Sequence, residues 1–83
     1  MAIDYAALLT DEQKRYILNQ RIQGFAADAW QNQINKDIAI KVGDDVALAE
    51  ANKNLATLDL AIEMHQAELA ALPPVEPQPV PEG

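Results

Sequence analysis

A chain of 83 residues with a run of prolines beginning at Pro73 leaves about seventy residues for a core, close to the lower limit at which one hydrophobic core holds a domain unaided. Cysteine is absent, which excludes disulfides and thiolate metal sites and leaves packing against another chain as the expected supplement. The net charge of −7 is unevenly placed: residues 1–43 carry five acids and five bases, whereas residues 44–83 carry eight acids against Lys53 alone. A phosphate backbone is repelled by that second half, so no nucleic-acid partner is expected, and a basic protein surface is its natural neighbour.

Hydrophobic residues make up 49%, but fifteen of them are alanines and the aromatics are only Tyr5, Tyr16, Phe25 and Trp30. Alanine has the highest helix propensity and buries little area, so the composition predicts helices that gain by close approach. No segment approaches the roughly 18 consecutive apolar residues of a membrane span. Met1-Ala2-Ile3-Asp4 has no basic region followed by an apolar run, unlike a secretory signal. A chain made in the cytoplasm, and used there or built into something assembled there, is expected, with no membrane partner.

The predicted fold class is all-α: an antiparallel hairpin of two long helices, with a short N-terminal helix and an extended tail. Asp4 can cap a short helix over residues 4–9. Thr10 and Gln13 then form a capping-box pair, and Asp11 and Glu12 suit the positive end of the helix dipole. From Asp11 to Val42 there is no proline, and Gly24 alone does not force a break. In this stretch Leu18, Ile22, Ala26, Trp30, Ile34, Ile38 and Val42 recur every four residues, flanked by Ile17, Phe25 and Ala29. A four-residue spacing gains about 40° per step on a 3.6-residue helix, so the stripe winds around the axis and one flat partner cannot cover it.

Gly43 stands where a left-handed cap is wanted and Asp44 or Asp45 where the next helix needs its N-cap, which predicts a tight turn at 43–44 and antiparallel neighbours. The second helix, about 45–72, shows an a/d heptad seam. Leu48, Leu55, Ile62 and Leu69 fall every seven residues, with Ala51, Leu58, His65 and Leu72 three further on. Pro73-Pro74 ends it, because proline lacks the amide donor and disfavours helix in the residue before it. Residues 1–72 thus form the hairpin, and 73–83 have the composition of a polyproline II tail, either a free linker or a strap.

Few residues suggest chemistry. His65 is the only histidine, and Glu68 is its only carboxylate neighbour at helical spacing. Its d position makes it a polar residue that fixes register, or one hydrogen-bonded at an interface. Asp44 and Asp45 lack the alternating oxygen ligands and terminal glutamate of a calcium loop and read as caps. Lys14, Arg15 and Arg21 form a basic cluster near Asp11, Glu12 and Asp28, for which surface ion pairing is the expectation. Trp30 either fills the hairpin seam or anchors a partner. Pro74-Val75-Glu76-Pro77 has the PxxP form of a weak groove ligand. With no triad, no phosphate loop and too little core to enclose a substrate, an enzyme is not expected. Nor is a cofactor, a metal or a small-molecule substrate.

The segments Leu9-Thr10-Asp11-Glu12-Gln13-Lys14-Arg15, Gln20-Arg21-Ile22-Gln23-Gly24-Phe25-Ala26-Ala27 and His65-Gln66-Ala67-Glu68-Leu69, the last before a proline tail, resemble small helical accessory proteins of tailed bacteriophages. The resemblance is one of style across most of the chain and carries no functional motif. It implies a virion or assembly component. The leading expectation is therefore a structural subunit packed on a larger capsid or tail protein, or on further copies of itself. The candidate interface is Ile17, Phe25, Trp30, Ile34, Ile38, Leu48, Leu55, Leu58, Ile62, His65 and Leu69, with Pro74, Val75, Pro77 and Val80 as the strap. The alternatives are a small acidic adaptor or inhibitor using residues 44–72 against a basic site, and an assembly chaperone absent from the mature particle.

Overall fold

The computed structural model describes residues 2–74, so Val75, Pro77 and Val80 of the expected strap lie outside the described residues. The chain begins with a single 3-10 turn at Tyr5–Leu8, capped by Asp4, whose carboxylate accepts from the Ala7 amide at 3.4 Å. Sequence reading places a short helix over 4–9, and the structure reduces it to this tighter turn. Only five residues separate the Asp4 cap from the Thr10 cap, too few to stabilise an α-helical nucleus.

Helix α1 spans Asp11–Val42 and helix α2 spans Asp45–Ala71. The capping box starts α1: the Thr10 hydroxyl accepts from the Gln13 amide at 3.1 Å, and the Gln13 side chain accepts from the Thr10 amide at 2.9 Å. Its other end closes on Gly43, the one residue with positive φ among those described (72°). There the Gly43 amide donates to Ile40 and the Asp44 amide to Ala39, a Schellman pattern that a side chain at position 43 would strain. Asp44 then caps α2 by accepting from the Ala47 amide at 3.0 Å. Two residues thus reverse the chain direction, and α2 returns along α1.

The packing seam of α2 coincides with its heptad: Leu48, Ala51, Leu55, Leu58, Ile62, His65, Leu69 and Leu72 are its covered positions, with Ala47 and Ala61 at the margin. On α1 the covered positions are Lys14, Arg15, Leu18, Ile22, Phe25, Ala29, Asn32, Lys36 and Ala39. From Leu18 onward these alternate in steps of four and three, so α1 carries a heptad as well. The four-residue stripe joins this seam only at Leu18 and Ile22 and then winds away. Two helices stay in contact over many turns only along a 3.5-residue repeat, so the seam follows position even where it meets Asn32 and Lys36. A lysine tolerates this because its methylenes cover apolar surface while the ammonium reaches water.

A single seam encloses little. Among the described residues only Ala39 and Ala51 are buried, each 3% exposed; both lie near the turn, where alanines let the backbones approach. The larger seam residues remain partly open to solvent. Ile62→Asp or Leu55→Asp, which sets an unpaired carboxylate in the seam, is therefore expected to cost several kcal/mol, comparable with the whole stability of a domain this small. Circular dichroism should show loss of most helicity for either variant and none for Lys53→Ala, which lies on the exposed side of α2.

Candidate interaction site

The polar contacts that cross the seam fix how α1 and α2 align. Near its middle the Asn54 amide donates to the Asn32 side-chain oxygen at 3.2 Å, while Asn32 donates to the Asp28 carbonyl at 2.9 Å. Toward the open end the Arg21 Nε donates to His65 Nε2 at 2.9 Å. With Nε2 accepting, the ring proton sits on Nδ1, which lies 2.6 Å from the Ala61 carbonyl. The His65 ring also meets Phe25 edge-on at 4.9 Å, and the Arg21 guanidinium lies over the Phe25 ring at 5.4 Å. At the end of the hairpin Arg15 donates to the Pro73 carbonyl at 2.7 Å.

Arg21, Phe25 and His65 thus form one unit in which each group restrains the other two. A cation over an aromatic face contributes about 0.5–1 kcal/mol at an accessible site, and the neutral imidazole acceptor gives the guanidinium a directed bond. This unit accounts for the polar d position in a register-fixing role. The partner is Arg21 on the opposite helix and not Glu68 on its own. Spacing within α2 could not reveal it, since the two residues are separated by 44 positions and meet only through the pairing of the helices. All three residues of the basic cluster lie toward the second arm: Arg21 bonds His65, Arg15 bonds the Pro73 carbonyl just past α2, and Lys14 borders a groove with Glu68 and Leu72.

The candidate interface residues divide into two sets. Phe25, Leu48, Leu55, Leu58, Ile62, His65 and Leu69 lie along the seam inside the hairpin, half covered. Ile17, Trp30, Ile34 and Ile38 lie outside it, exposed by 41%, 65%, 40% and 54%, with Ile17 and Ile38 also bordering grooves against α2. Trp30 is therefore outside the hairpin seam. Further large apolar side chains are exposed on the outer side of α2, at Val46, Leu60 and Met64, and around the first turn, at Ile3, Tyr5 and Leu8. Sequence reading missed Leu60 and Met64 because it assigned α2 a single apolar face, although they fall four residues apart on the opposite one.

Asp44 serves as a cap, and no group of acids or histidine among the described residues is arranged to hold a metal ion. No helix among them is long and apolar enough to cross a membrane. Comparison with protein families, with characterised proteins and with solved structures finds no match.

The cross-seam unit gives a quantitative expectation. In a double-mutant cycle of Arg21→Met and His65→Leu, followed by urea denaturation, the two residues should show a coupling energy on the order of 1 kcal/mol. Additive effects would mean that the bond contributes nothing to the folded hairpin.

Proposed function

We propose that this chain is a non-enzymatic structural subunit whose helical hairpin packs against a larger protein, and that this protein is a capsid or tail component of a bacteriophage particle. The observation that carries the first part is the imbalance between what the hairpin buries and what it exposes. Among the described residues two alanines are buried, whereas Ile17, Trp30, Ile34, Ile38, Leu60 and Met64 stand largely in solvent. Scattered apolar residues are normal on any surface, but large ones repeated along both arms of so small a fold mark sites for a partner. The resemblance in style to small accessory proteins of tailed phages supports the second part, as does the absence of cysteine, which suits assembly in a reducing compartment.

The proline-rich segment fits this role as a strap. It leaves the open end of the hairpin beside the Arg15–Pro73 contact, next to a groove lined by Leu9, Ile17, Leu18 and Leu72. A segment that docks after the helices contributes through effective concentration, so it slows dissociation more than it speeds binding. A second reading draws on the acids of α2. Glu50, Asp59 and Glu63 are all exposed, and an acidic adaptor or inhibitor would set them against a basic site on its target.

Quantitative mass spectrometry of purified particles separates these readings. A structural subunit is present in fixed proportion to the capsid or tail protein, whereas an adaptor or assembly chaperone is depleted from particles and found in the free fraction. Deleting residues 75–83 should leave helicity unchanged and raise the dissociation rate from the particle protein several-fold. An unchanged rate would make the tail a passive spacer.

A further inference from the structure

We infer that α1 carries a second helix-pairing face, turned away from α2, and that its occupant is the same face of a second copy of this chain in antiparallel alignment. The face is legible in the spacing. Ile17, Gly24, Gln31 and Ile38 recur every seven residues, and Gln20, Ala27, Ile34 and Lys41 recur every seven residues three positions further on. All eight are exposed. On a helix of 3.5 residues per turn this set lies roughly 150° from the seam that holds α2, so both faces can be occupied at once. Trp30 and Tyr16, exposed by 65% and 66%, flank the set on one side.

Charge and symmetry select the occupant. A pair of copies joined through α2 would bring Glu50, Asp59 and Glu63 against their own repeats, in a half of the chain whose only base is Lys53. Residues 1–43 are balanced, with five acids and five bases, so joining through α1 meets no net repulsion and leaves the acidic arms on opposite outer sides. The face is also complementary to itself when reversed. In the register that sets Ile17 against Ile34 of the second copy, Gln20 faces Gln31 of that copy and Gly24 faces Ala27, with the two-fold axis between those two positions. The same register brings Lys41 to the acidic first turn of the other α1, which holds Asp11 and Glu12, and symmetry repeats that contact at the other end. Lys14, next to that turn, is half covered on the α2 side.

The area is adequate for a modest dimer. The open parts of Ile17, Trp30, Ile34 and Ile38 offer roughly 400 Å² per copy, on the order of 800 Å² for the pair, and the backbone and smaller residues between them bring the total toward the roughly 1,200 Å² at which specific interfaces begin. Gly24 completes the geometry. A glycine inside a helix lowers helix stability relative to alanine, yet nothing in its own chain lies within 4 Å of where its Cβ would stand. A second helix crossing there at close range gives that position a use.

The chain lacks cysteine, so introduced thiols report cleanly. Ala27→Cys, near the expected two-fold axis, should form a disulfide-linked dimer under mild oxidation at micromolar concentration. Leu60→Cys, on the outer side of α2, should form no disulfide-linked dimer. Trp30, the only tryptophan, should shift its emission to the blue as the wild-type chain is concentrated. Gly24→Leu should keep its helicity and weaken association at least tenfold. Equal cross-linking at both positions, preferential cross-linking at Leu60→Cys, or a wild-type chain that sediments as a monomer throughout the micromolar range would overturn the inference. Its failure would leave the proposed docking on a larger protein standing, because that docking also has the outer side of α2 and the open end of the hairpin available.

Discussion

A pair of helices has one line of contact, and a side chain on that line is covered from one direction only. Every other property of this protein follows from that geometry. Among the described residues burial is nearly complete only at two alanines, Ala39 and Ala51, because small residues let the backbones close the space that larger ones hold open. Leu55, Leu58, Ile62 and Leu69 contribute transfer energy in proportion to the part they cover. The remainder stays in water. Stability in such a fold is limited by area and not by helix propensity, which the alanine content makes high.

A weakly buried seam raises a problem of register, since one alanine-lined turn resembles the next. The polar contacts address it. Asn32 with Asn54, Arg21 with His65 and Arg15 with the Pro73 carbonyl tie α1 to α2 at separate points along the hairpin. Each contributes about 1 kcal/mol at most. Sliding α2 by one heptad would break all of them together, however, so their combined effect on alignment exceeds their individual worth. Gly43 adds the remaining constraint by fixing the chain reversal, with α1 closed onto Ala39 and Ile40 and Asp44 placed to begin α2.

Much of this was legible in the amino-acid sequence, and the parts that were not share a cause. The Thr10–Gln13 capping box, the Gly43 turn and the seam of α2 depend on residues close together in the chain, and each appears as read. The seam of α1 was obscured because two of its positions hold Asn32 and Lys36, so the apolar residues suggested a four-residue stripe that the helix pairing follows only at Leu18 and Ile22. The Arg21–His65 bond could not be read from spacing, because it requires the register of the finished hairpin. Likewise, the separation of half-covered seam residues such as Phe25 and Leu58 from exposed ones such as Trp30 and Ile38 needs both helices in place. The Tyr5–Leu8 turn differs from the expected short helix because two competing caps stand too close together.

The exposed apolar residues and the uneven charge then describe one molecule with two kinds of surface: a balanced arm with a large tryptophan, and an acidic arm with leucine and methionine on its outer side. On the proposed reading a partner completes this fold, and its stability should be coupled to that partner by mass action. The most direct test is thermal unfolding of the isolated chain, followed by circular dichroism from one to several hundred micromolar. The account predicts a broad transition at the lowest concentration and a midpoint that rises steadily with concentration. A sharp, cooperative transition at the same temperature throughout would show that the hairpin is complete as a monomer and would contradict it.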